Sequence, residues 1–523
     1  MTLQCGDGAL DTGALEQQVR DWISDDPDPV TRAELTALLE SGDAAGLQDR
    51  FAGPLHFGTA GLRGPVRAGP NGMNRAVVRR TAAGLAAHLG PSTTVVVGRD
   101  ARHGSAAFLE DVGAVLAGAG VRALLLPRAL PTPVLAYAVL ALRADAGVMV
   151  TASHNPPADN GIKVYLADGA QLPSPVDRDV ERQIASVATV LERPLGEVEV
   201  LGEQVVSDYV AAVAALPLTA HRDVRVAYTP MHGVGLETLL AAFAAAGFAA
   251  PTVVAEQAEP DPDFPTVAFP NPEEPGALDL LLALSVDADV AIASDPDADR
   301  IAVVVGDRVL RGDETGVLLA DHLLAHGRRG LLATTVVSSS MLARVAAAYD
   351  VPFAQTLTGF KHLARAGDDL LYAYEEALGV AVAPALVRDK DGISAAVLVA
   401  EMAAEEKARG RTLLDRLADL EARHGRHETR QLSYRVDDLS LISAAVDDLR
   451  AAPPSAYGDF AVVAVEQPAD DVLVHRLESG RVVVRPSGTE PKLKAYLELV
   501  DPDPGALDAL ADAVHQRLGL PSR

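Results

Sequence analysis

Three aspartates stand at alternate positions in a segment that we call the aspartate loop, Asp295-Pro296-Asp297-Ala298-Asp299-Arg300. Apolar runs flank it on both sides, Val290–Ala293 and Ile301–Val305, so we expect a tight loop between two strands. Three like charges between apolar strands are unfavourable without a counter-ion, and alternate carboxylates can converge on one hard cation. The segment lacks the glycine and distal glutamate of an EF-hand. The pattern predicts a divalent-metal site, with a solvated acidic turn as the alternative.

A serine follows another apolar run. Ser153 lies in the serine loop, Thr151–Pro156, directly after the predicted strand Ala146–Val150, and His154 is its neighbour. A serine presented at a strand end beside a histidine suits a nucleophile or a phosphoryl carrier. Beyond a predicted tight turn, Lys163 returns towards the loop, where it could offset phosphate charge or move protons. The alternative is an ordinary polar turn.

Two glutamates, Glu375 and Glu376, begin the glutamate loop, Glu375–Gly379, after the apolar run Leu371–Tyr374. Paired carboxylates at this place could accept hydrogen bonds from sugar hydroxyls. The alternative is the start of a helix, where acidic residues are favoured by the helix dipole.

The arginine loop, Arg485–Pro491, follows the predicted strand Arg481–Val484. Its candidate phosphate-binding residues are Arg485, Ser487, Gly488 and Thr489. An arginine, two hydroxyls and glycine amides can cradle a phosphate, although Pro-Ser-Gly also forms ordinary turns. Together the four loops offer a phosphoryl carrier, a divalent cation, a hydroxyl reader and a phosphate clamp. This combination indicates phosphoryl transfer on a phosphorylated polyol.

The elements that position these loops are short apolar runs alternating with helical patterns. Thr93–Val97 is typical of a strand, for example, and Ser105–Gly118 of a helix. Such alternation predicts α/β layers with largely parallel sheets, in which ligands bind at loops after the carboxyl ends of strands.

A chain of 523 residues is too long for one hydrophobic core, so we expect several domains. We predict a helical leader, then domains that carry the serine, aspartate, glutamate and arginine loops in turn. The predicted ranges are 1–50, 51–200, 201–308, 309–428 and 429–523.

The formal net charge of −27 argues against nucleic acid or an anionic membrane as a partner. The single cysteine, Cys5, fits a reducing compartment, and the first residues lack the pattern of a signal peptide. We therefore expect a cytoplasmic protein that contacts neither nucleic acid nor a membrane.

These loops, in this order, resemble the α-D-phosphohexomutase superfamily of phosphoglucomutases and phosphomannomutases. The opening motif Phe57–Gly64 also resembles that of the family, so the similarity extends from about residue 50 onward. The motifs Tyr228–Gly233 and Leu357–Lys361 are most similar to the branch that contains phosphoglucomutase 2 and the phosphopentomutases. The resemblance implies four domains around a central cleft: three related α/β domains with mixed sheets and a smaller C-terminal α+β domain.

The resemblance also implies roles for individual residues. Ser153 would be phosphorylated and would hold Mg²⁺ together with Asp295, Asp297 and Asp299. The residues that would handle protons and substrate are Arg63, His154, Lys163 and Arg300. Those that would bind the sugar are Glu375, Glu376 and Lys361.

The implied reaction interconverts a hexose 1-phosphate and a hexose 6-phosphate through a hexose 1,6-bisphosphate that also serves as activator. Glucose is the first candidate for the sugar and mannose the second. Ala377 stands where many hexomutases have serine, which leaves the sugar open. The alternatives are a phosphopentomutase, a hexose bisphosphate synthase, a metal-dependent phosphatase and a non-catalytic sugar-phosphate sensor. We expect a monomer or a small homo-oligomer.

Overall fold

Four β-sheets organise the chain. The computed structural model describes residues 12–58, 61–436, 438, 440–487 and 492–520. Among the described helices, none combines the length and the apolarity that a membrane span requires.

The leader consists of three helices within the described residues, not one continuous helix. They are α1 (Thr12–Asp25), α2 (Pro29–Ser41) and α3 (Ala44–Arg50). The side chain of Asp28 caps α2, and Gly42, with φ of 69°, ends it. The leader packs on the first sheet unit: Asp25 accepts hydrogen bonds from the guanidinium of Arg80 (2.5 Å) and from the amide of Val190 (2.9 Å).

The first unit has a seven-stranded sheet in the order β1-β2-β6-β5-β3-β4-β7. Its strands are β1 (Phe57–Gly58), β2 (Gly61–Pro65), β3 (Thr94–Arg99), β4 (Arg122–Leu125), β5 (Ala146–Val150), β6 (Asp159–Leu166) and β7 (Glu199–Val200). Its helices are α4 (Arg75–Leu89), α5 (Ser105–Gly118), α6 (Thr132–Ala141) and α7 (Val176–Ala185).

The second unit has a five-stranded sheet in the order β12-β11-β10-β8-β9. Its strands are β8 (Val226–Thr229), β9 (Thr252–Val253), β10 (Val290–Ser294), β11 (Ile301–Val305) and β12 (Arg308–Val309). Its helices are α8 (Gln204–Ala214), α9 (Gly235–Ala245) and α10 (Asp279–Leu284).

The third unit has a four-stranded sheet in the order β14-β13-β15-β16. Its strands are β13 (Leu331–Thr335), β14 (Phe353–Thr356), β15 (Leu370–Glu375) and β16 (Gly379–Ala381). Its helices are α11 (Gly312–Ala325), α12 (Met341–Ala348), α13 (Phe360–Leu363), α14 (Gly392–Ala408) and α15 (Leu413–His424).

The three sheets share one core topology. In chain order, each has two parallel strands, a third strand parallel to the first, and a fourth that returns antiparallel to the third. The resulting spatial orders are β6-β5-β3-β4, β11-β10-β8-β9 and β16-β15-β13-β14. The serine, aspartate and glutamate loops are the same connection in each unit, between the third strand and its antiparallel return.

The expectation of largely parallel sheets is therefore wrong. In each unit a short connection makes the fourth strand antiparallel to the third. The pairs β1–β2 and β2–β6 add two more antiparallel ladders to the first sheet. Mixed sheets, as the resemblance implied, are what the structure has.

The fourth unit is a six-stranded antiparallel sheet in the order β17-β22-β21-β20-β19-β18, with two helices. Its elements are β17 (His427–Arg435), α16 (Ser440–Ala451), β18 (Ala456–Tyr457), β19 (Phe460–Ala469), β20 (Val472–Leu477), β21 (Gly480–Pro486), β22 (Lys492–Val500) and α17 (Ala506–Leu518). Buried Arg481 docks it on the third unit by donating to the carbonyls of Val336 and Ser338.

One apolar core joins the first three units. A continuous cluster of buried side chains extends from Val134 on α6, through Val290 on β10, to Leu420 on α15. Helix α14 is buried from Gly392 to Glu406 and packs on elements of both the second and the third unit. This shared core fixes the three loops relative to one another.

Candidate active site

Ser153 is held in a strained, buried position at the end of β5. Its φ is 53°, a left-handed conformation that costs energy for a residue other than glycine and persists only where its surroundings enforce it. Its amide donates to Thr151 Oγ1 (2.9 Å), and its hydroxyl donates to Asp295 Oδ2 (2.8 Å). The structure thus brings the predicted phosphoryl carrier to the predicted metal loop.

Arg102, which the sequence analysis missed, supports the serine loop from below. Its guanidinium donates to the carbonyls of Ser153 (2.7 Å), Asn155 (2.6 Å), Pro156 (2.8 Å) and Asp159 (3.1 Å). A planar guanidinium with several fixed donors can hold such a set, which an ammonium group cannot match. The available signal was a charged segment directly after an apolar strand, which is the usual place for site residues.

The aspartate loop is a tight turn whose carboxylates point to a common centre. The amide of Arg300 donates to Asp295 Oδ1 (3.1 Å), and Ala298 takes φ of 53°. From the first unit, Thr132 at the start of α6 donates its hydroxyl to Asp297 Oδ2 (2.5 Å). All three aspartate side chains are completely buried.

A hard divalent cation fits this loop. One carboxylate oxygen from each of Asp295, Asp297 and Asp299 lies within 4.8 Å of the others. Among the described residues, neither Asp297 Oδ1 nor Asp299 Oδ1 has a hydrogen-bond partner, although both atoms are buried. Oxygen-only ligands and unsatisfied buried carboxylates are what Mg²⁺ or a similar ion requires.

Two buried lysines face the same carboxylates. Lys163 Nζ on β6 lies 2.6 Å from Asp297 Oδ2 and 2.6 Å from Asp299 Oδ2. Lys390 Nζ, which precedes α14, lies 3.3 Å from Asp299 Oδ2. The sequence predicted Lys163 but not Lys390, whose approach depends on how the third unit packs against the second.

Burial and these charges shift the pKa values of Asp295 and Asp299 in opposite directions. Burial raises the pKa of Asp295 well above its ordinary value, and the charges of Asp297 and Asp299 add to the rise. Burial also opposes ionisation of Asp299, but the ammonium groups of Lys163 and Lys390 outweigh it and lower its pKa. The site therefore keeps Asp299 ionised beside the lysines, while Asp295 retains a proton more easily.

His154 is part of the serine loop, and Arg63 contacts that loop from β2. Burial lowers the pKa of His154 well below its ordinary value, and the positive charges of Arg300 and Arg63 lower it further. The imidazole is therefore neutral and can accept a proton. Arg63 on β2 donates to Asn155 Oδ1 (2.9 Å), which places it beside the loop that carries Ser153.

Arg300 connects the aspartate loop to the glutamate loop. Its guanidinium donates to the carbonyl of Ala377 and lies 3.4 Å from Glu375 Oε1. Leu378 takes φ of 64°, so each of the three equivalent loops contains one left-handed residue that is not glycine. Burial raises the pKa of Glu375, and Arg300 opposes that rise.

The other two predicted sugar-binding residues lie apart from each other. Glu376 Oε2 accepts hydrogen bonds from the hydroxyls of Ser338 (2.9 Å) and Thr335 (3.2 Å). Lys361 Nζ lies 3.6 Å from Asp177 Oδ2, at a contact between the first and third units. The structure thus joins Glu375 to the aspartate loop through Arg300 and places Lys361 against the first unit.

Arg485 and Ser487 lie at the end of β21, where the fourth unit faces the glutamate loop. Burial raises the pKa of neighbouring Tyr496, the charge of Glu376 adds to the rise, and that of Arg485 opposes it. The amide of Ser487 donates to the carbonyl of Lys492 (2.8 Å). The other predicted phosphate-binding residues, Gly488 and Thr489, lie outside the described residues, as do residues 59 and 60 of the opening motif.

Comparison with known domain families covers most of the chain. It matches the phosphoglucomutase/phosphomannomutase alpha/beta/alpha domains I, II and III over residues 54–190, 207–308 and 311–422. The C-terminal domain of the same family matches residues 434–516.

Individual relatives carry three mutase names. The chain is 44% identical to a "Probable phosphomannomutase" of Haemophilus influenzae, over 84% of this chain and 95% of the relative. It is 33% identical to a phosphoglucomutase of Staphylococcus haemolyticus (86% and 91% covered) and 31% identical to a phosphopentomutase of Mus musculus (99% and 97% covered). A crystal structure of a phosphoglucomutase/phosphomannomutase family protein from Burkholderia thailandensis shares the fold, with a TM-score of 0.71, 23% identity, and 88% and 96% covered.

These matches agree with the architecture of three related mixed α/β units and a smaller C-terminal unit. They confirm the fold class and the superfamily that the motifs indicated. Members of this family are phosphomutases, enzymes that transfer a phosphoryl group within a sugar phosphate. The chain belongs to the phosphoglucomutase/phosphomannomutase family, the α-D-phosphohexomutase superfamily.

Proposed function

We propose that this chain interconverts hexose 1-phosphate and hexose 6-phosphate, with glucose as the main sugar and mannose as the second. The phosphoryl group would be carried by Ser153, and a hexose 1,6-bisphosphate would be both the bound intermediate and the activator. The observation that supports this most is the buried hydroxyl of Ser153, 2.8 Å from Asp295 in the aspartate loop.

In the first half of the reaction, phosphorylated Ser153 gives its group to the free hydroxyl of the substrate. The bond from phosphorus to Ser153 Oγ breaks, and a bond from phosphorus to the sugar oxygen forms. The sugar hydroxyl loses a proton to a base, and Ser153 Oγ regains one. The strained backbone of Ser153 and the hydrogen bonds from Arg102 would hold the reacting oxygen in place. Positioning of this kind, together with electrostatic stabilisation, is the main contribution of an enzyme to phosphoryl transfer.

The residues that would hold Mg²⁺ are Asp295, Asp297 and Asp299, with Ser153 beside them. When bound there, Mg²⁺ supplies positive charge that offsets the charge on the transferring phosphoryl group. The buried ammonium groups of Lys163 and Lys390 add fixed positive charge on the same side of the loop.

Three residues are placed to handle protons and orient the reacting groups. His154 is the neighbour of Ser153 and is neutral, because burial keeps its pKa low, so a ring nitrogen is open to the hydroxyl proton; the same low pKa makes it a weak base. Lys163 would return a proton to Ser153 Oγ; it donates to Asp297 and Asp299 in the loop whose Asp295 accepts from that hydroxyl. Arg63 lies beside the serine loop, where a guanidinium would bind phosphate oxygens.

In the second half, the bisphosphate turns over while bound and returns its other phosphoryl group to Ser153. Arg300 would orient the sugar, and Glu375, Glu376 and Lys361 would contact its hydroxyls. The residues proposed to hold the phosphate that is not being transferred are Arg485, Ser487, Gly488 and Thr489. Closure of the fourth unit over the site would exclude water, which otherwise hydrolyses the phosphoserine.

A phosphopentomutase is the second candidate. The alignment with the mouse phosphopentomutase covers 99% of this chain at 31% identity. Ala377 also removes one hydroxyl that could contact a hexose. The same chemistry would then act on ribose 1-phosphate. The relatives include both hexose and pentose mutases, so the sugar preference of this chain must be measured.

The test is a coupled assay with glucose 1-phosphate, mannose 1-phosphate and ribose 1-phosphate in parallel, each with Mg²⁺ and a trace of glucose 1,6-bisphosphate. We expect fast formation of glucose 6-phosphate that a chelator abolishes. A strong ribose signal with weak hexose turnover would support the second candidate. Release of inorganic phosphate that outpaces isomerisation of every sugar would contradict both.

We also propose that the enzyme is cytoplasmic and works as a monomer or small homo-oligomer, without nucleic-acid or membrane partners. The net charge of −27 and the lone Cys5 support this proposal. Size-exclusion chromatography with light scattering measures the oligomeric state.

A further inference from the structure

A second group of metal-ligating side chains lies in the third unit, away from the aspartate loop. His322 lies in the last turn of α11 and His326 directly follows the helix as its C-cap; their ring centroids are 4.5 Å apart, and Glu405 on α14 faces both. His322 lies ten positions along the helix from Gly312, which lies against the backbone of Glu376. At about 1.5 Å per residue, the group is about 15 Å from the glutamate loop.

The hydrogen bonds of the two histidines fix which ring nitrogens carry hydrogen. His322 Nε2 lies 3.0 Å from Glu401 Oε2, and His326 Nδ1 lies 2.9 Å from the carbonyl of His322. Carboxylates and carbonyls only accept, so these two nitrogens are the donors. In the neutral rings, His322 Nδ1 and His326 Nε2 then present lone pairs, the arrangement in which an acceptor orients a metal-binding histidine.

Both lone pairs meet the carboxylate of Glu405. His322 Nδ1 lies 3.5 Å from Oε2, and His326 Nε2 lies 3.3 Å from Oε1. Ligand atoms around tetrahedral zinc, with bonds of about 2.0–2.1 Å, are about 3.3 Å apart. Within the described part of the chain, buried Glu405 Oε2 has no hydrogen-bond partner. Acceptors that face one another at this spacing are stabilised by positive charge. Arg409 pairs with Glu405 Oε1 and Arg416 lies 3.6 Å from Oε2, and a metal ion would bind all three ligand groups at once.

The surrounding charge favours a cation. Four buried carboxylates lie in this region: Asp321, Glu401, Glu405 and Glu406. Buried Arg416 is the basic group in their midst; it donates to Asp321 Oδ2 (2.9 Å) and lies 3.4 Å from His322 Nδ1 and 3.6 Å from Glu405 Oε2. Arg409, Arg411 and Arg423 also pair with these acids, but their side chains are 36–55% exposed. The single buried guanidinium of Arg416 cannot compensate all four buried carboxylates. Their other positive partners are exposed to solvent, which screens their charge.

We propose that His322, His326 and Glu405 bind a divalent transition-metal ion of the zinc class, separate from the ion of the aspartate loop. Two imidazoles and one carboxylate suit Zn²⁺, and water can complete the coordination on the partly exposed side of His326. Arg416 keeps its bond to Asp321 while the ion takes the two nitrogens. The ion would join α11 to α14, two helices whose first residues contact the glutamate and aspartate loops.

The test is a Zn²⁺ titration of the full chain by calorimetry, with Mg²⁺ in large excess to occupy the aspartate loop. We expect one Zn²⁺ per chain and a rise in Tm on Zn²⁺ addition. His326→Ala should weaken Zn²⁺ binding by at least about 100-fold. Glu401→Gln changes the acceptor behind His322, removes no ligand of the ion, and should weaken binding by about 10–100-fold. A Gln side-chain oxygen can still accept from the amides of Leu218 and Thr219, which Glu401 Oε1 accepts in the structure. The control His221→Ala, at an exposed histidine, should leave binding unchanged.

His326→Ala should keep mutase activity with Mg²⁺, since His326 lies outside the proposed active site. If His326→Ala fails to fold, Glu401→Gln and His326→Gln provide the same comparison. The proposal is overturned if Zn²⁺ binds only when Mg²⁺ is withheld. It is equally overturned if His326→Ala and Glu401→Gln bind Zn²⁺ as tightly as the unmodified chain.

Discussion

Lys163→Met should destabilise the chain and make its stability depend strongly on Mg²⁺. Lys163 Nζ lies 2.6 Å from both Asp297 and Asp299, whose side chains are completely buried. Methionine has a similar length and no charge, so the substitution leaves both carboxylates without their shared ammonium group. Lys390 contacts only Asp299 of this pair, at 3.3 Å, and compensates in part.

The size of the effect follows from burial. Removing one partner of a buried ion pair costs about 3–5 kcal/mol, because the remaining charge stays buried without compensation. The first three units share one core and unfold together as about 380 residues, for which an unfolding entropy of about 2.1 cal/mol/K per residue gives a fall in Tm of about 4–6 °C in the presence of a chelator. Mg²⁺ supplies the missing charge, so it should raise the Tm of Lys163→Met more than that of the unmodified chain.

Thermal unfolding followed by circular dichroism, with Mg²⁺ or with chelator, measures both effects. Lys407→Met is the matched control, because Lys407 is partly exposed and pairs with Asp223 and Asp289 near the surface. Such a pair contributes at most about 1 kcal/mol. The reasoning is refuted if both variants lose the same Tm in chelator, or if Mg²⁺ raises the Tm of both equally.

Three further predictions concern separate parts of the structure. Arg485→Ala should raise KM for the sugar phosphate by about 10-fold or more with a smaller change in kcat, because it removes a charge-assisted phosphate contact; unchanged KM would contradict the clamp. Arg102→Lys should lower kcat by about 100-fold with KM nearly unchanged, since a lysine cannot hold the four carbonyls of the serine loop, and steady-state kinetics with full activity would disprove this positioning role. Burial lowers the pKa of His475 to about 4, so the folded state binds its proton less readily than the unfolded state. Stability should be full above pH 6.5 and fall by on the order of 2 kcal/mol as the pH drops towards 4, whereas His475→Gln should flatten that slope in denaturant titrations.

The sequence predicted the parts of the site that lie within single loops. The spacing of Asp295, Asp297 and Asp299 indicated a cation site because like charges between apolar strands need compensation, and the structure brings these carboxylates together. Ser153 and Lys163 were predicted on other grounds, one as a serine at the end of a strand and the other as a lysine that returns towards it after a tight turn. Local pattern was sufficient because each of these residues is placed by its own hairpin.

Contacts between units were beyond such patterns. Lys390 reaches Asp299 only because α14 packs between the second and third units, and Thr132 reaches Asp297 from the first unit. Long-range contacts within one unit were missed as well: Arg102 supports the serine loop, which lies about 50 residues further along the chain in the same unit. Neither periodicity nor residue type specifies which of many polar residues will meet across such distances.

The antiparallel direction of the fourth strand in each unit could have been predicted from the length of the connection before it, but it was missed. Six residues separate β10 from β11, and a parallel crossover needs about a dozen or more. An antiparallel return was therefore the only geometry available to that connection. In the leader, Pro29 and Gly42 are likewise ordinary signals for the start and end of α2.

The central claim is that Ser153 carries the phosphoryl group, and peptide mapping by mass spectrometry tests it most directly. The purified chain is incubated with glucose 1,6-bisphosphate and Mg²⁺, quenched and digested, alongside Ser153→Ala and the exposed-serine control Ser207→Ala. We predict phosphate on the peptide containing Ser153 in the unmodified chain and in Ser207→Ala, and a loss of mutase activity by several orders of magnitude in Ser153→Ala. Phosphate on another residue, or near-normal turnover by Ser153→Ala, would contradict the account.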